Sequence, residues 1–352
     1  MNSVWKLPRT PIDRSSGVFA RMFAPAAGVL LGCLLVNCLV GVAVLKVPGW
    51  RVDPVFGDVM RPGVFVSSKE GYCVAHIGGP GFRAPPPETV RSYPERILFV
   101  GNSFTAARQV FDSDTFEVRV QQALRSQGLG VVSVNAGIEA ASAASCLYFA
   151  APLTALYRPT RVVVQMGDGS LGPALLRPDT AGCWLEPAGT GWTARRRAGV
   201  AVSALRDRVR NVLASLPVAQ WLWQRLKNMG ADAQVPDAAR SSSANNVSPV
   251  LVDWVLGKLR ERYGSNVVIL YTPDFDYFGG ANTPTPTERR VSEACSRLGI
   301  AFVDTREPFS RAYAATRQPL VGFGNTQPGL GHWNSEGHAV VAAELIRLLE
   351  PR

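Results

Sequence analysis

The stretch ILFVGNSFTAA, residues 97–107, decides how this chain is read. An apolar run, Ile97 to Val100, stops at Gly101-Asn102-Ser103. A short unbroken run closed by glycine fits a strand buried on both faces. Ser103 then stands where the strand would empty into a helix. Serine at such a place caps the helix or, with a base beside it, acts as a nucleophile.

Working outward, the same alternation recurs. Apolar runs appear at 131–135, 161–166, 267–271 and 301–304, with helix-length stretches at 115–127, 142–156 and 249–263. In the last of these Val252, Val255, Leu256 and Leu259 fall at 3,4 spacing and mark one helix face. A final helix is predicted over 335–349. Continuous strands alternating with helices imply an α/β protein with a parallel sheet covered on both faces. Such sheets carry their chemistry at the carboxyl ends of the strands.

Three regions lie outside the alternation. Residues 25–47 carry no charge before Lys46, and Asn37 is their one strongly polar member. A run of about 22 residues can cross a hydrocarbon core of about 30 Å. Lys6, Arg9, Arg14 and Arg21 precede it against Asp13 alone, so the expectation is a signal anchor with residues 1–24 as a cytoplasmic tail. A cleaved signal peptide fits less well, because the polar leader is long and no small-x-small site closes the run. Residues 48–95, rich in Pro, Gly and Val, read as an extended lead-in to a body spanning 96–352. Within the body, 169–248 is an insertion between the third and fourth strands. It holds an Arg-rich amphipathic stretch at 193–216, the Trp221/Trp223 segment and a polar tract that reads as a flexible loop.

The net charge of +10 is spread over the leader, Arg195-Arg196-Arg197 and the Arg206–Arg210 stretch, without aromatic interleaving or zinc spacing. Nucleic-acid binding is not implied. Of six cysteines, Cys33 and Cys38 fall in the apolar segment. Cys73, Cys146, Cys183 and Cys295 would face an oxidising compartment and allow three pairings, among which the sequence does not choose; four unpaired buried thiols are an equal alternative.

The chain has three histidines, His76, His332 and His338. His332 lies in GLGHWNSEGH, just ahead of the last predicted helix. A serine at the top of the first strand and a histidine there can meet at one end of a parallel sheet, where imidazole takes and returns the serine proton. Glu336 reads as a cap of the last helix, His338 as a packing residue, and His76 as lying in the lead-in, away from any catalytic role.

These blocks resemble the SGNH (GDSL-type) hydrolases, in particular membrane-anchored, extracytoplasmic members linked to polysaccharide acylation. RILFVGNSFT is similar to the first block, VVSVNAGIEAAS to the second, YRPTRVVVQMGDGSL to the third and GHWNSEGH to the last, and GFR at 81–83 also occurs in the anchored members. The resemblance implies a three-layer, flavodoxin-like α/β/α sandwich with a parallel five-stranded sheet, preceded by one N-terminal transmembrane helix. It implies Ser103 as nucleophile and His332 as base, with an oxyanion hole from Ser103 N–H, a second-block N–H and a third-block side chain.

The sequence departs from the pattern at four places. Asn102 replaces an aspartate that shapes the turn. The second-block glycine falls on Ala140 in the ungapped register, or on Gly137 if the register differs. The third-block asparagine is Gly169, beside Asp168. The aspartate three residues before the histidine is Gly329, so the carboxylate that orients the imidazole is absent from its usual place. The expectation is a serine esterase or acyltransferase acting on acyl esters, chiefly O-acetyl, of an envelope or exported glycan, needing no cofactor or metal. Its main domain would be periplasmic, its contacts the membrane and possible envelope assembly proteins. The alternative is a degenerate SGNH domain that binds glycan or a partner without catalysis.

Overall fold

The computed structural model describes residues 25, 27–36, 50–67, 70–197, 248–279 and 283–350. Residues 27–36 are helical, and no helix among the described residues is long and apolar enough to cross a membrane. The tail 1–24, most of the expected span's second half and the stretch with Trp221 and Trp223 lie outside them.

The segment read as an extended lead-in is folded. β1 (Trp50–Asp53) pairs with β2 (Gly57–Met60), and β3 (Gly63–Ser67) pairs with β4 (Cys73–Ile77), both antiparallel. A short helix, α1 (Pro87–Arg91), leads into the body. There β5 (Glu95–Val100) is followed by α2 (Ser103–Ala106), α3 (Phe116–Ser126), β6 (Val131–Asn135), α4 (Ala143–Tyr157), β7 (Arg161–Gly167) and α5 (Asp168–Leu171). After the insertion come α6 (Pro249–Tyr263), β10 (Val267–Thr272), α7 (Pro286–Leu298), β11 (Ala301–Asp304), α8 (Arg306–Thr316) and α9 (Ser335–Leu349). Within the insertion, β8 (Cys183–Ala188) and β9 (Gly191–Arg196) form an antiparallel hairpin.

The five body strands form one parallel sheet in the order β11-β10-β7-β5-β6. This is the flavodoxin-like order, which reverses direction between β5 and β7. Alternate residues of each strand face opposite layers. Leu98, Val100, Val162, Val164, Ile269 and Tyr271 pack with α4, α6 and α7. Ile97, Phe99, Val163, Val268 and Leu270 pack with Phe116, Val120 and Leu124 of α3 and with Val341, Leu345 and Leu349 of α9. The strands read as unbroken apolar runs because both faces are covered.

Residues 193–196, the start of the Arg-rich amphipathic stretch, belong to β9. Cys183 and Leu185 at the start of its partner strand join the α4 core, so the hairpin is held by packing as well as by its ladder. Cys73, Cys146, Cys183 and Cys295 are all buried free thiols.

Candidate active site

β5 ends at Val100, and the chain turns through Gly101 and Asn102 into α2, of which Ser103 is the first residue. Asn102 caps this helix: its Oδ1 accepts the Phe104 N–H at 3.0 Å, while its own N–H donates to Gln165 Oε1 of β7 at 3.0 Å. The asparagine therefore does the turn-shaping that an aspartate would do. Ser103 is half-buried, and its N–H is among the donors that a helix start leaves without an intrahelical acceptor.

The loop that follows is tied down from two sides. Asn135 Nδ2 donates to Thr105 O at 2.5 Å and to Glu117 Oε1 at 3.0 Å. The Arg83 guanidinium donates to Ala107 O, to Val110 O at 3.2 Å and to Asp112 Oδ1 at 3.0 Å. The GFR arginine is thus a brace for the loop after Ser103.

His332 sits in the loop before α9. Its neighbour Trp333 is buried, with the Phe104 ring 4.7 Å away and the Phe309 ring 5.8 Å away. The His332 ring lies 5.4 Å from that of Phe104, the residue after Ser103. Main-chain bonds strap the loop to 320–322: Gly322 N–H donates to His332 O at 2.9 Å and Asn334 N–H to Leu320 O at 3.1 Å.

One contact was not foreseen from the sequence. The Glu70 carboxylate, from the loop joining β3 to β4, lies with Oε2 2.6 Å from His332 Nδ1, and its Oε1 accepts the His332 backbone N–H at 2.6 Å. The Glu70 and His332 side chains are 15% and 24% exposed. This carboxylate meets His332 from 262 residues away in the chain. Local spacing could not have found it. A Glu-Gly pair inside a strand-turn-strand stretch was the one available signal.

A cavity of about 500 Å³ opens at the carboxyl ends of β5, β7 and β10. Its wall includes Asn102 and Phe104, which flank Ser103, and Gly331 and Trp333, which flank His332. Ala140 and Gly169 line the same cavity. Ala140 has φ +50°, the left-handed conformation that glycine adopts most readily. At the other sequence register, the Gly137 N–H is committed to Asn135 Oδ1 at 3.0 Å.

Gly169 faces open space, whereas the Asp168 carboxylate beside it is buried and tied up. Asp168 Oδ1 accepts Tyr271 Oη–H and Thr285 Oγ1–H, both at 2.9 Å, and Oδ2 accepts the Asp274 N–H at 2.8 Å. Burial, reinforced by this carboxylate, pushes the Tyr271 phenol up.

The remaining histidines do other work. His338 is buried, stacked on Phe116, with Nδ1 accepting the Phe116 N–H at 3.3 Å. Burial pushes its pKa down to about 3, helped by Arg83 and Arg119. His76 Nδ1 meets Asp112 Oδ2 at 2.6 Å on an exposed face. Glu336 is exposed. The cap of α9 is Asn334, whose Oδ1 accepts the N–H groups of Glu336 and Gly337 at 3.0 and 3.1 Å.

No protein-family model and no curated protein matches the chain. Solved structures do resemble it. A lipase/acylhydrolase from Enterococcus faecalis is 15% identical at a TM-score of 0.42, over 72% of this chain and 95% of that one. The acetylxylan esterase Axe2 from Geobacillus stearothermophilus is 14% identical at 0.40, over 74% and 96%. A two-domain esterase active on acetylated mannans is 12% identical at 0.39, over 72% and 48%.

Proposed function

We propose that this chain is a serine ester hydrolase or acyltransferase, with Ser103 as nucleophile and His332 as base. The observation that carries the reading is the approach of two loops at one cavity: the one opening α2 with Ser103 and the one holding His332. They meet at the Phe104 and His332 rings, 5.4 Å apart.

His332 Nε2 takes the Ser103 Oγ proton as Oγ bonds to the acyl carbon. The carbonyl oxygen gains the electron pair and is held by the Ser103 and Ala140 N–H groups, with Gly169 bordering the same hole. As the tetrahedral centre collapses, the C–O bond to the alcohol breaks and His332 returns the proton to the leaving oxygen. The acyl-enzyme then passes its acyl group to water, or to a second alcohol in the transferase case.

The finer reading takes the substrate as an O-acyl ester, chiefly O-acetyl, of an envelope or exported glycan. It takes the chain as a single-pass membrane protein with its main domain periplasmic, in contact with envelope assembly proteins. The motif resemblance and the basic-then-apolar order of residues 1–47 support it. A second reading, a domain that binds such a glycan without catalysis, is favoured by one observation: Gly169 offers no side-chain donor.

Fluorophosphonate labelling separates the two. Stoichiometric labelling lost in Ser103→Ala and in His332→Ala, with parallel loss of p-nitrophenyl acetate hydrolysis, is the expected result. A folded wild-type chain that takes no label supports the binding reading instead.

A further inference from the structure

We propose that Glu70, carried by the β3–β4 hairpin ahead of the body, is the positioning carboxylate of His332, so that the amino-terminal segment completes the active centre. The inference rests on the serine-hydrolase reading and deepens it.

Three observations converge. The first is the two-point contact: one carboxylate oxygen meets Nδ1 and the other accepts the backbone N–H of the same histidine, each at 2.6 Å. An ionised carboxylate only accepts hydrogen bonds, so it holds the imidazole proton on Nδ1 and leaves the Nε2 lone pair for the serine proton. The bond to the backbone N–H fixes the histidine's main chain as well as its ring. A surface ion pair would need neither feature.

The second is that the surroundings are cut to fit the glutamate. A Cβ at Gly331 would lie 2.0 Å from Glu70 Oε1, and Gly331 has φ +92°. Any side chain there would displace the carboxylate. At Gly329 a Cβ would lie 2.1 Å from the Phe278 ring, again at a positive φ of +85°. An aspartate cannot take the usual place in this loop without rebuilding it. The absence of one acid and the fit of the other both show within residues 329–332.

The third is that the glutamate is itself held. Gly71 donates its N–H to Asn325 Oδ1 at 2.8 Å, and a Cβ on it would lie 2.6 Å from Gln109 O and 2.7 Å from the Phe323 ring. The backbone next to Glu70 is wedged between the nucleophile loop and the histidine loop. On the hairpin side, the Cys73 thiol donates to Arg108 O at 3.1 Å, and the His76 N–H donates to Asp112 Oδ2 at 3.1 Å. The hairpin therefore docks on the loop that Arg83 braces.

Glu70 takes no proton in the reaction. It accepts the Nδ1–H bond throughout, and it steadies the imidazolium while His332 carries the serine proton.

The test uses the purified chain with Glu70→Gln, Glu70→Asp and Ser103→Ala. Each is assayed for p-nitrophenyl acetate hydrolysis and fluorophosphonate labelling. The strongly deshielded imidazole Nδ1–H proton is followed by NMR, and thermal denaturation checks folding. Glutamine keeps shape and volume but offers an amide in place of the carboxylate. By the behaviour of an Asp-to-Asn change in a serine protease triad, kcat should fall about 10³- to 10⁴-fold with KM little changed. The deshielded proton should vanish, the melting transition should persist, and Glu70→Asp should recover part of the rate.

If wild type hydrolyses ester through Ser103 while a folded Glu70→Gln matches it, this inference fails and the serine-hydrolase reading stands. A wild type that neither labels nor hydrolyses ester overturns both.

Discussion

At Gly169 an added Cβ meets nothing within 4 Å, and the backbone is not in the left-handed region. The side-chain donor missing from the third block can therefore be put back without strain. Removing one oxyanion donor costs about 10²–10³ in rate in a comparable enzyme, so Gly169→Asn is expected to raise kcat by about 10- to 10²-fold. Steady-state kinetics on an acetyl ester checks this, and an unchanged kcat would mean that the hole is complete without the side chain. Gly331 gives the opposite expectation. Its alanine variant pushes the carboxylate off His332 and should lose as much rate as Glu70→Gln, with KM the less affected constant.

Among the elements, α9 and the loop before it form one unit. Asn334 caps the helix through Oδ1, while its Nδ2 donates to Pro319 O at 2.7 Å and Gly322 O at 3.2 Å. One side chain thus closes the helix start and straps the histidine loop to 319–322. Losing an N-cap costs about 1 kcal/mol, and the two further bonds add to that. Asn334→Ala should lower the denaturation midpoint and, because His332 lies two residues earlier, reduce kcat as well. A variant that lost stability but kept full kcat would show that Trp333, clamped between Phe104 and Phe309, holds the histidine unaided. α2 depends similarly on Asn135, which joins the end of β6 to Thr105 and Glu117.

The whole molecule carries opposed proton traps that set its stability against pH. Burial pushes Glu117 from 4.5 up to about 8, and its Oε2 has no hydrogen-bond partner among the described residues. The native state keeps a proton there that the unfolded chain releases, so stability falls as pH rises from 4.5 to about 8. Asp304, raised by burial and by its hydrogen bond with Glu288, acts in the same sense.

His338 works against them. Its pKa is depressed from 6.5 to about 3, and a proton on Nδ1 would face the Phe116 N–H. There the unfolded chain binds the proton, so stability falls as pH drops from 6.5 to about 3. The two ranges overlap between 4.5 and 6.5, where the effects oppose each other, so denaturation midpoints should be highest there and fall on either side. Glu117→Gln should weaken the alkaline fall, with Asp304 keeping the remainder. A variant with both limbs unchanged would place the titrating groups elsewhere.

How much of this was legible in the sequence follows from the range of each signal. Unbroken apolar strands, 3,4 spacing in α6 and a polar turn at 101–103 are local consequences of burial and backbone geometry. They determined the parallel sheet, the order of its elements and the place of Ser103 and His332 at its carboxyl ends. Ala140 and Gly169 came from the block resemblance alone, and both line the cavity. The folding of residues 50–77 into hairpins was not legible, because short strands that pair only with each other leave little periodicity. Glu70 was beyond reach altogether. A carboxylate contributes to an imidazole through a distance of 2.6 Å, and only the docking of the β3–β4 loop between two loops of the body brings residues 70 and 332 that close. The sequence by itself determined a serine and a histidine at one end of a sheet. The tertiary structure alone decided which acid stands behind the histidine, because that is a matter of packing between segments far apart in the chain.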